Sequence, residues 1–94
     1  MRLTLLQGFQ REVRALDDDQ RAAVFDAVLQ LPRVIAEPHL HAGLGVRKVH
    51  RTGIWEARVG LGLRMVFGLD GGAGGLILIR VGSHDDVRRC LRSL

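Results

Sequence analysis

The sequence predicts an α+β fold, in which an N-terminal strand and a helical hairpin pack on a meandering, mainly antiparallel β-sheet, with a short helix at the C-terminal end. Three observations lead to this prediction. Apolar residues recur at helical spacing in the first third of the chain, alternating or wholly apolar strand-like segments fill residues 54–81, and glycine-containing turns separate those segments. Helices collected on one side of such a sheet bury the apolar faces of both layers. A chain of 94 residues suffices for one such domain, spanning residues 1–94.

The N-terminal part of the chain is predicted to form a strand and two helices. Leucines within residues 3–6 open a short strand, and apolar residues spaced by four and three predict a helix over residues 9–16. A second helix is predicted from about Asp19 to Leu31, with one of three consecutive aspartates as its N-cap. We expect Pro32 to end this helix, because proline has no N–H and its ring collides with the preceding turn. Residues 33–46 are then expected to be irregular.

The second half of the chain is predicted to form most of the sheet and the last helix. In one segment polar and apolar side chains alternate, which places Glu56 and Arg58 on the same face. In the next segment Arg64 lies on the face opposite Leu63, Met65 and Phe67, and a third, almost wholly apolar segment is typical of a central buried strand. In chain order the predicted elements are an extended segment at 46–50, a turn at 52–53, a strand at 54–59, a turn at 60–62, a strand at 63–67, a flexible loop at 70–75, a strand at 76–81 and a helix at 85–94.

Positive charge is concentrated in the second part of the chain. The net charge is +4, and residues 1–37 contribute −1, from five Arg against six acids. Residues 38–94 contribute +5, from eight Arg and one Lys against four acids. Guanidinium groups match phosphate geometry, so this distribution indicates a polyanionic partner. A preference for Arg codons would account for the ratio of thirteen Arg to one Lys, but not for the asymmetry.

Several classes of protein are disfavoured by the composition. Cys90 is the only cysteine, so neither an internal disulfide nor a thiolate zinc cluster is expected. No apolar run approaches the roughly 20 residues that span a bilayer, and the first residues lack the apolar stretch of a secretion signal, so we expect a cytoplasmic protein with no membrane partner. His39 and His41 lie two apart beside Pro38, but two histidines do not make a metal site. We expect no metal and no cofactor.

Three segments of the second half resemble the RelE/ParE toxin superfamily. Residues 53–59 resemble its strand of an aromatic followed by alternating polar and basic residues, and residues 63–67 resemble its Leu-Arg-hydrophobic-hydrophobic-aromatic strand. Residues 81–88 resemble the Val-Gly-x-His-Asp ending of many members, and the order of elements is similar over nearly the whole chain. The resemblance implies a toxin of a type II toxin–antitoxin system that cuts mRNA on the ribosome, arrests growth and is held inactive by a cognate antitoxin protein.

The chain departs from this family at Arg88. Many members have a Tyr or another aromatic there, and this chain contains no Tyr. Either the planar guanidinium group replaces the aromatic ring as a stacking surface for a base, or the activity is altered or lost.

Metal-free RNA cleavage, in which the ribose 2′-hydroxyl attacks the adjacent phosphorus, needs a base, an acid and cations that stabilise the growing negative charge. The candidate catalytic residues are Arg64 as phosphate clamp, His84 as acid or base, Arg58 as second cation and Glu56 as base. A simple hairpin would bring Arg58 and Arg64 close together, and two like charges in that position favour an anion between them. Each candidate also has a structural reading: a salt bridge between Arg64 and Glu56, a solvated position for Arg58, and a place beside the N-cap of the last helix for His84.

Four basic residues are candidates for RNA binding. Arg47, Lys48 and Arg51 precede the predicted hairpin, and Arg88 lies on the last helix. A solvated basic strand would explain the first three equally well. His50 lies among them and is a further candidate for the site.

Three functions remain open from the sequence. The first is a ribosome-dependent mRNA endonuclease, which the combination of His84, Arg58 and Arg64 favours. The second is a ParE-like inhibitor of DNA gyrase without RNase activity, and the third is an inactive toxin-fold module that only binds partners. The absence of Tyr favours the second and third. The sequence specifies no oligomeric state.

Overall fold

The structure, a computed structural model, describes residues 2–37, 41–60, 62–71 and 74–93, which form five strands and four helices. In chain order these are β1 (Arg2–Leu5), α1 (Gln7–Ala15), α2 (Asp18–Ala36), α3 (His41–Leu44), β2 (Arg47–His50), β3 (Ile54–Val59), β4 (Leu63–Asp70), β5 (Gly75–Gly82) and α4 (His84–Arg92).

All five strands belong to one sheet with the order β1-β5-β4-β3-β2. β1 is parallel to β5, and the other neighbouring strands are antiparallel. The predicted α+β fold with a mainly antiparallel sheet is therefore confirmed. β5, which the sequence predicts to be a central buried strand, is an interior strand between β1 and β4, and β4 occupies the centre of the sheet.

The main hydrophobic core lies between the sheet and the helices α1 and α2. Alternate residues of β4 face this core, so Met65 and Phe67 are fully buried while Arg64 lies on the other face. Burying each large apolar side chain contributes about 1.5–3 kcal/mol. The other fully buried members of this cluster are Phe9, Val24, Leu31, Ala57, Leu76 and Leu78.

Side-chain hydrogen bonds join α1 to α2. Asp17 is the N-cap of α2, since its Oδ1 accepts a hydrogen bond from the backbone N–H of Gln20 at 2.8 Å, and the Gln20 side chain accepts from the Asp17 N–H. The predicted acidic N-cap is thus confirmed. The Arg21 guanidinium donates to the carbonyl oxygens of Val13, Arg14 and Leu16 at the end of α1. Val13 O also accepts from the backbone N–H of Leu16. Carbonyls at a helix end lack their usual partner four residues on, so these bonds from Arg21 fix the turn between the two helices.

The prediction that Pro32 ends the second helix is wrong, because α2 continues through it to Ala36. A proline inside a helix costs about 3 kcal/mol through its missing hydrogen bond and its ring. The continuation buries Val34, which contributes about 1.5–3 kcal/mol, and packs the partly buried Ile35 against the core, so apolar burial offsets that cost. Residues 33–36, which the sequence predicts to be irregular, are therefore helical, and α3 adds a further turn of helix.

The expectation that all helices lie on one side of the sheet is wrong for the last helix, because α4 packs on the opposite face. Val66 of β4 and Val87 of α4 are buried but lie outside the main core cluster, and α4 contacts β4 and β5. Ser83 is its N-cap: the Ser83 Oγ accepts from the Asp86 N–H at 3.1 Å, and Asp86 Oδ2 accepts from the Ser83 N–H at 3.2 Å. Hydrogen bonds from Ser83, with a smaller contribution from the charge of Arg89, hold the pKa of the Asp86 carboxyl below its ordinary value. The helix begins at His84, one residue earlier than predicted.

Candidate functional site

Glu56 is the only charged residue that is buried among the described residues, with 2% of its surface exposed. Its Oε1 accepts a hydrogen bond from Arg47 Nε at 2.8 Å and another from Arg64 Nη1 at 3.0 Å. The strand register brings these groups together, since Arg47 of β2 lies directly opposite Glu56 of β3. A buried carboxylate requires such partners, because removal from water is otherwise costly. The salt bridge between Arg64 and Glu56 that the sequence suggested is therefore present.

The two arginines that bind Glu56 differ in exposure. The side chain of Arg64 is 26% exposed, whereas that of Arg47 is 62% exposed. Arg64 is thus held in a fixed position by the fold, while Arg47 lies mostly in solvent. The two guanidinium groups and the Glu56 carboxylate together carry a net charge of +1, so this cluster remains cationic.

A cleft of about 470 Å³ opens between these strands and α4. His84 and Arg88 lie on its helical wall, one turn apart on α4, and both are exposed. Ser83 caps α4, so His84 is not needed for the cap. The His84 side chain lies on the wall of the cleft. The residues that line the cleft are Arg47, Lys48, Val49, Glu56, His84, Arg88 and Leu91.

The structure therefore brings together most of the residues that the sequence nominated. Five of the nominated residues line the cleft. Arg64 does not line it but forms an ion pair with Glu56, which does. Arg58 lies directly opposite Arg64 in the pairing of β3 with β4, as predicted, but is not among the residues that line the cleft. Its guanidinium Nε instead approaches Gly45, where a Cβ atom would collide with it. Arg51 is exposed in the turn between β2 and β3 and does not line the cleft either.

A second hollow, of about 270 Å³, adjoins this cleft and includes a cation that sequence reasoning missed. It is lined by Val49, His50, Arg88, Leu91 and Arg92. Arg92 follows Arg88 by four residues, so the spacing along one helix face was the signal that could have identified it. His50, the further candidate from the sequence, lies here, beyond Arg88.

The described residues contain no group of three or more His, Cys, Asp or Glu side chains positioned to hold a metal ion. His39, one member of the histidine pair beside Pro38, lies outside the described residues, as does that proline. Trp55 packs against the main core. In the described ranges, no helix is long and apolar enough to cross a membrane.

No protein-family model matches the chain, and no curated protein sequence matches it. Solved structures do match. The YoeB/ParE toxin of Agrobacterium tumefaciens has a TM-score of 0.68 at 20% identity, with 89% of this chain and 99% of that chain covered. A copper-bound mutant toxin of Helicobacter pylori has a TM-score of 0.67 at 22% identity, with coverage of 93% and 98%. A chain of the intact E. coli RelBE toxin–antitoxin complex has a TM-score of 0.65 at 18% identity, with coverage of 86% and 93%.

The chain has the RelE-like toxin fold. The resemblance that the sequence showed to the RelE/ParE superfamily is therefore confirmed at the level of the fold. Identities this low identify the architecture and leave the activity to be argued from the site.

Proposed function

We propose that this RelE-fold protein is the toxin of a type II toxin–antitoxin system and cleaves single-stranded mRNA on the ribosome. One observation carries the proposal: the cleft between β2, β3 and α4 has Glu56 and its partner Arg47 on one side and His84 and Arg88 on the other, while Arg64 binds the same Glu56 oxygen from outside the lining. A fixed cation, a titratable imidazole and further exposed cations are the groups that RNA cleavage by 2′-hydroxyl attack requires.

In this proposal the scissile phosphate lies in the cleft. The 2′-oxygen forms a bond to phosphorus and the bond to the 5′-oxygen breaks, which leaves a 2′,3′-cyclic phosphate and a 5′-hydroxyl. Arg64 contacts a non-bridging phosphate oxygen, and Arg47 and Lys48 add positive charge. We assign to His84 the proton that the leaving 5′-oxygen receives, because His84 is exposed on the cleft wall.

The position of Glu56 supports an orienting role more than the role of general base. Both arginines donate to the same oxygen of this buried carboxylate, so the carboxylate fixes Arg64 for phosphate binding. In that case the proton of the 2′-hydroxyl passes to water. A substitution of Glu56 by Gln, which keeps a hydrogen-bond acceptor, should then retain most activity, whereas a general base would lose it.

The proposal is tested by induced expression of the wild-type protein beside His84→Ala, with primer extension on a reporter mRNA. His84 is exposed, so its loss should not impair folding, and Arg89→Ala on the same helix is the matched control. Growth arrest with new codon-phased cuts, lost only in His84→Ala, is the expected result. Arrest without cuts would instead indicate a gyrase inhibitor, and no arrest from soluble protein would indicate a binding module.

We also propose that a cognate antitoxin covers an apolar groove on the far side of the molecule. The groove is lined by Leu5, Phe9, Val13 and Phe25, with Gln10, Arg14 and Arg21 at its edges, and Phe25 is 44% exposed. Apolar lining with basic edges suits an acidic amphipathic helix. Co-purification with the product of a neighbouring short reading frame, lost in Phe25→Asp and kept in His84→Ala, is the expected outcome.

A further inference from the structure

The hollow beyond Arg88 has no part in the cleavage chemistry proposed above. It shares Val49, Arg88 and Leu91 with the Glu56 cleft and extends past them to His50 and Arg92. The exposed guanidinium of Arg88 therefore borders both spaces. A strand of nucleic acid that enters the cleft would meet this second space next.

The hydrogen bonds of His50 determine which of its ring nitrogens can donate. Nδ1 accepts a hydrogen bond from the backbone N–H of Thr52 at 3.2 Å and lies 2.7 Å from the Thr52 hydroxyl oxygen. A backbone N–H can only donate, so Nδ1 carries no proton and the hydroxyl donates to it as well. The neutral imidazole then carries its proton on Nε2, which makes Nε2 the donor of the ring.

The remaining lining residues supply charge and apolar surface. Arg88 and Arg92 lie one turn apart on α4 and are both exposed, and Val49 and Leu91 are half-buried. Guanidinium groups bind phosphate oxygens and stack on base planes, apolar side chains contact base faces, and a fixed N–H binds an acceptor on a base edge. An acidic protein segment would use the two arginines but would not need a donor of fixed tautomer.

We propose that this hollow is a second nucleotide subsite, which binds the nucleotide beyond the two that are joined by the phosphate in the Glu56 cleft. In this arrangement Arg88 lies between two consecutive bases, His50 Nε2–H donates to an acceptor of the second base, and Arg92 binds the flanking phosphate. The inference rests on the proposed RNA-cleaving function. It gives Arg88 a role that a neutral aromatic ring would fill only in part, because a guanidinium group stacks on bases as a ring does and also carries charge.

The proposal is tested by fluorescence anisotropy with single-stranded 2′-O-methyl RNA, which lacks the attacking hydroxyl and therefore cannot be cut. A hexanucleotide fills both spaces, and a dinucleotide fills only the Glu56 cleft. His50→Ala and Arg92→Gln are each expected to weaken hexanucleotide binding about tenfold, the effect of one lost contact to a base or phosphate. Neither should alter dinucleotide binding. Arg92→Gln should also lower the slope of log K against log salt by about 0.7, whereas His50→Ala should not.

The controls separate this inference from the function on which it rests. Arg89→Gln removes the same charge from the same helix but lies on the side that faces Arg80 and Glu12, so it should bind like the wild type. His50→Gln keeps an N–H donor and should restore part of the affinity, which excludes misfolding as the cause. Wild-type affinity in His50→Ala and Arg92→Gln, with weakened binding in Arg64→Lys, would overturn the subsite and leave the proposed function standing. A wild-type protein that binds neither oligonucleotide would overturn both.

Discussion

Removal of either arginine that binds Glu56 should destabilise the fold, but by different amounts. Arg64→Ala and Arg47→Ala each take one partner from a carboxylate that is 2% exposed. The Arg47 side chain is 62% exposed and the Arg64 side chain is 26% exposed, so solvent screens the ion pair of Arg47 with Glu56 far more than the ion pair of Arg64 with Glu56. The two substitutions thus remove the same charge at similar distances, 2.8 and 3.0 Å, from the same oxygen.

The expected losses follow from this difference in exposure. A screened pair is worth about 0.5–1 kcal/mol, which we expect for Arg47→Ala. Removal of one partner from a buried pair costs about 3–5 kcal/mol, and because Arg47 remains as a partner we expect about 2–3 kcal/mol for Arg64→Ala. In a domain of this size 1 kcal/mol corresponds to about 4–8 °C in Tm, so Arg64→Ala should lower Tm by about 8–24 °C and Arg47→Ala by about 2–8 °C.

Urea and thermal denaturation followed by circular dichroism measure both losses. Repeating the two substitutions in a Glu56→Gln background completes the double-mutant cycles, and there the difference between them should shrink, because the carboxylate charge that distinguishes them is gone. Equal losses of unfolding free energy for the two substitutions in the protein that retains Glu56, or a larger loss for Arg47→Ala, would refute the reasoning. Such a result would mean that Glu56 is more hydrated than its burial indicates.

Three further predictions concern local structure. Pro32→Ala should raise the free energy of unfolding by up to about 3 kcal/mol, since alanine restores a helical hydrogen bond, and a lower urea midpoint would contradict this. Gly45→Ala should lower it by at least about 1–2 kcal/mol, because φ is +61° there and the new Cβ would meet Arg58, and unchanged stability would contradict the close approach of that guanidinium to Gly45. Ser83→Ala should cost about 1 kcal/mol at neutral pH. The lowered pKa of Asp86 stabilises the fold at pH values above the ordinary carboxyl pKa of about 3.9, and this stabilisation disappears as the pH falls through the pKa of the folded state. Because Ser83→Ala removes part of the cause of the lowered pKa, its free energy of unfolding should decrease less on acidification than that of the wild type.

The strands were predictable because their signal is local. Alternation with a period of two places Glu56 and Arg58 on one face, and the short turn that follows sets the register that pairs Arg58 with Arg64. The extent of α2 was not predictable in this way. Proline is a strong local stop, and only the burial of Val34 in the assembled core shows why the helix continues.

The site was predictable in its members and not in its connections. The family resemblance and the charge pattern nominate residues from β2, β3, β4 and α4, but no local rule states that α4 packs over Glu56. The partnership of Arg47 with Glu56 depends on the register between β2 and β3, which contains an irregularity after Lys48. Arg92 was missed because its spacing from Arg88 has meaning only once one face of α4 is known to border the cleft.

The pairing of Arg58 with Arg64 favours an anion between them when only the sequence is considered, because like charges directly opposite each other on a sheet repel. In the structure the two guanidinium groups contact different partners: Arg64 donates to Glu56 at 3.0 Å, while Arg58 lies against Gly45. The buried carboxylate therefore relieves the repulsion without a bound phosphate, and the like-charge pair no longer argues for one. The case for a phosphate site rests instead on the cleft, where Arg47, Lys48 and Arg88 supply three positive charges against the single carboxylate of Glu56, which Arg64 already neutralises.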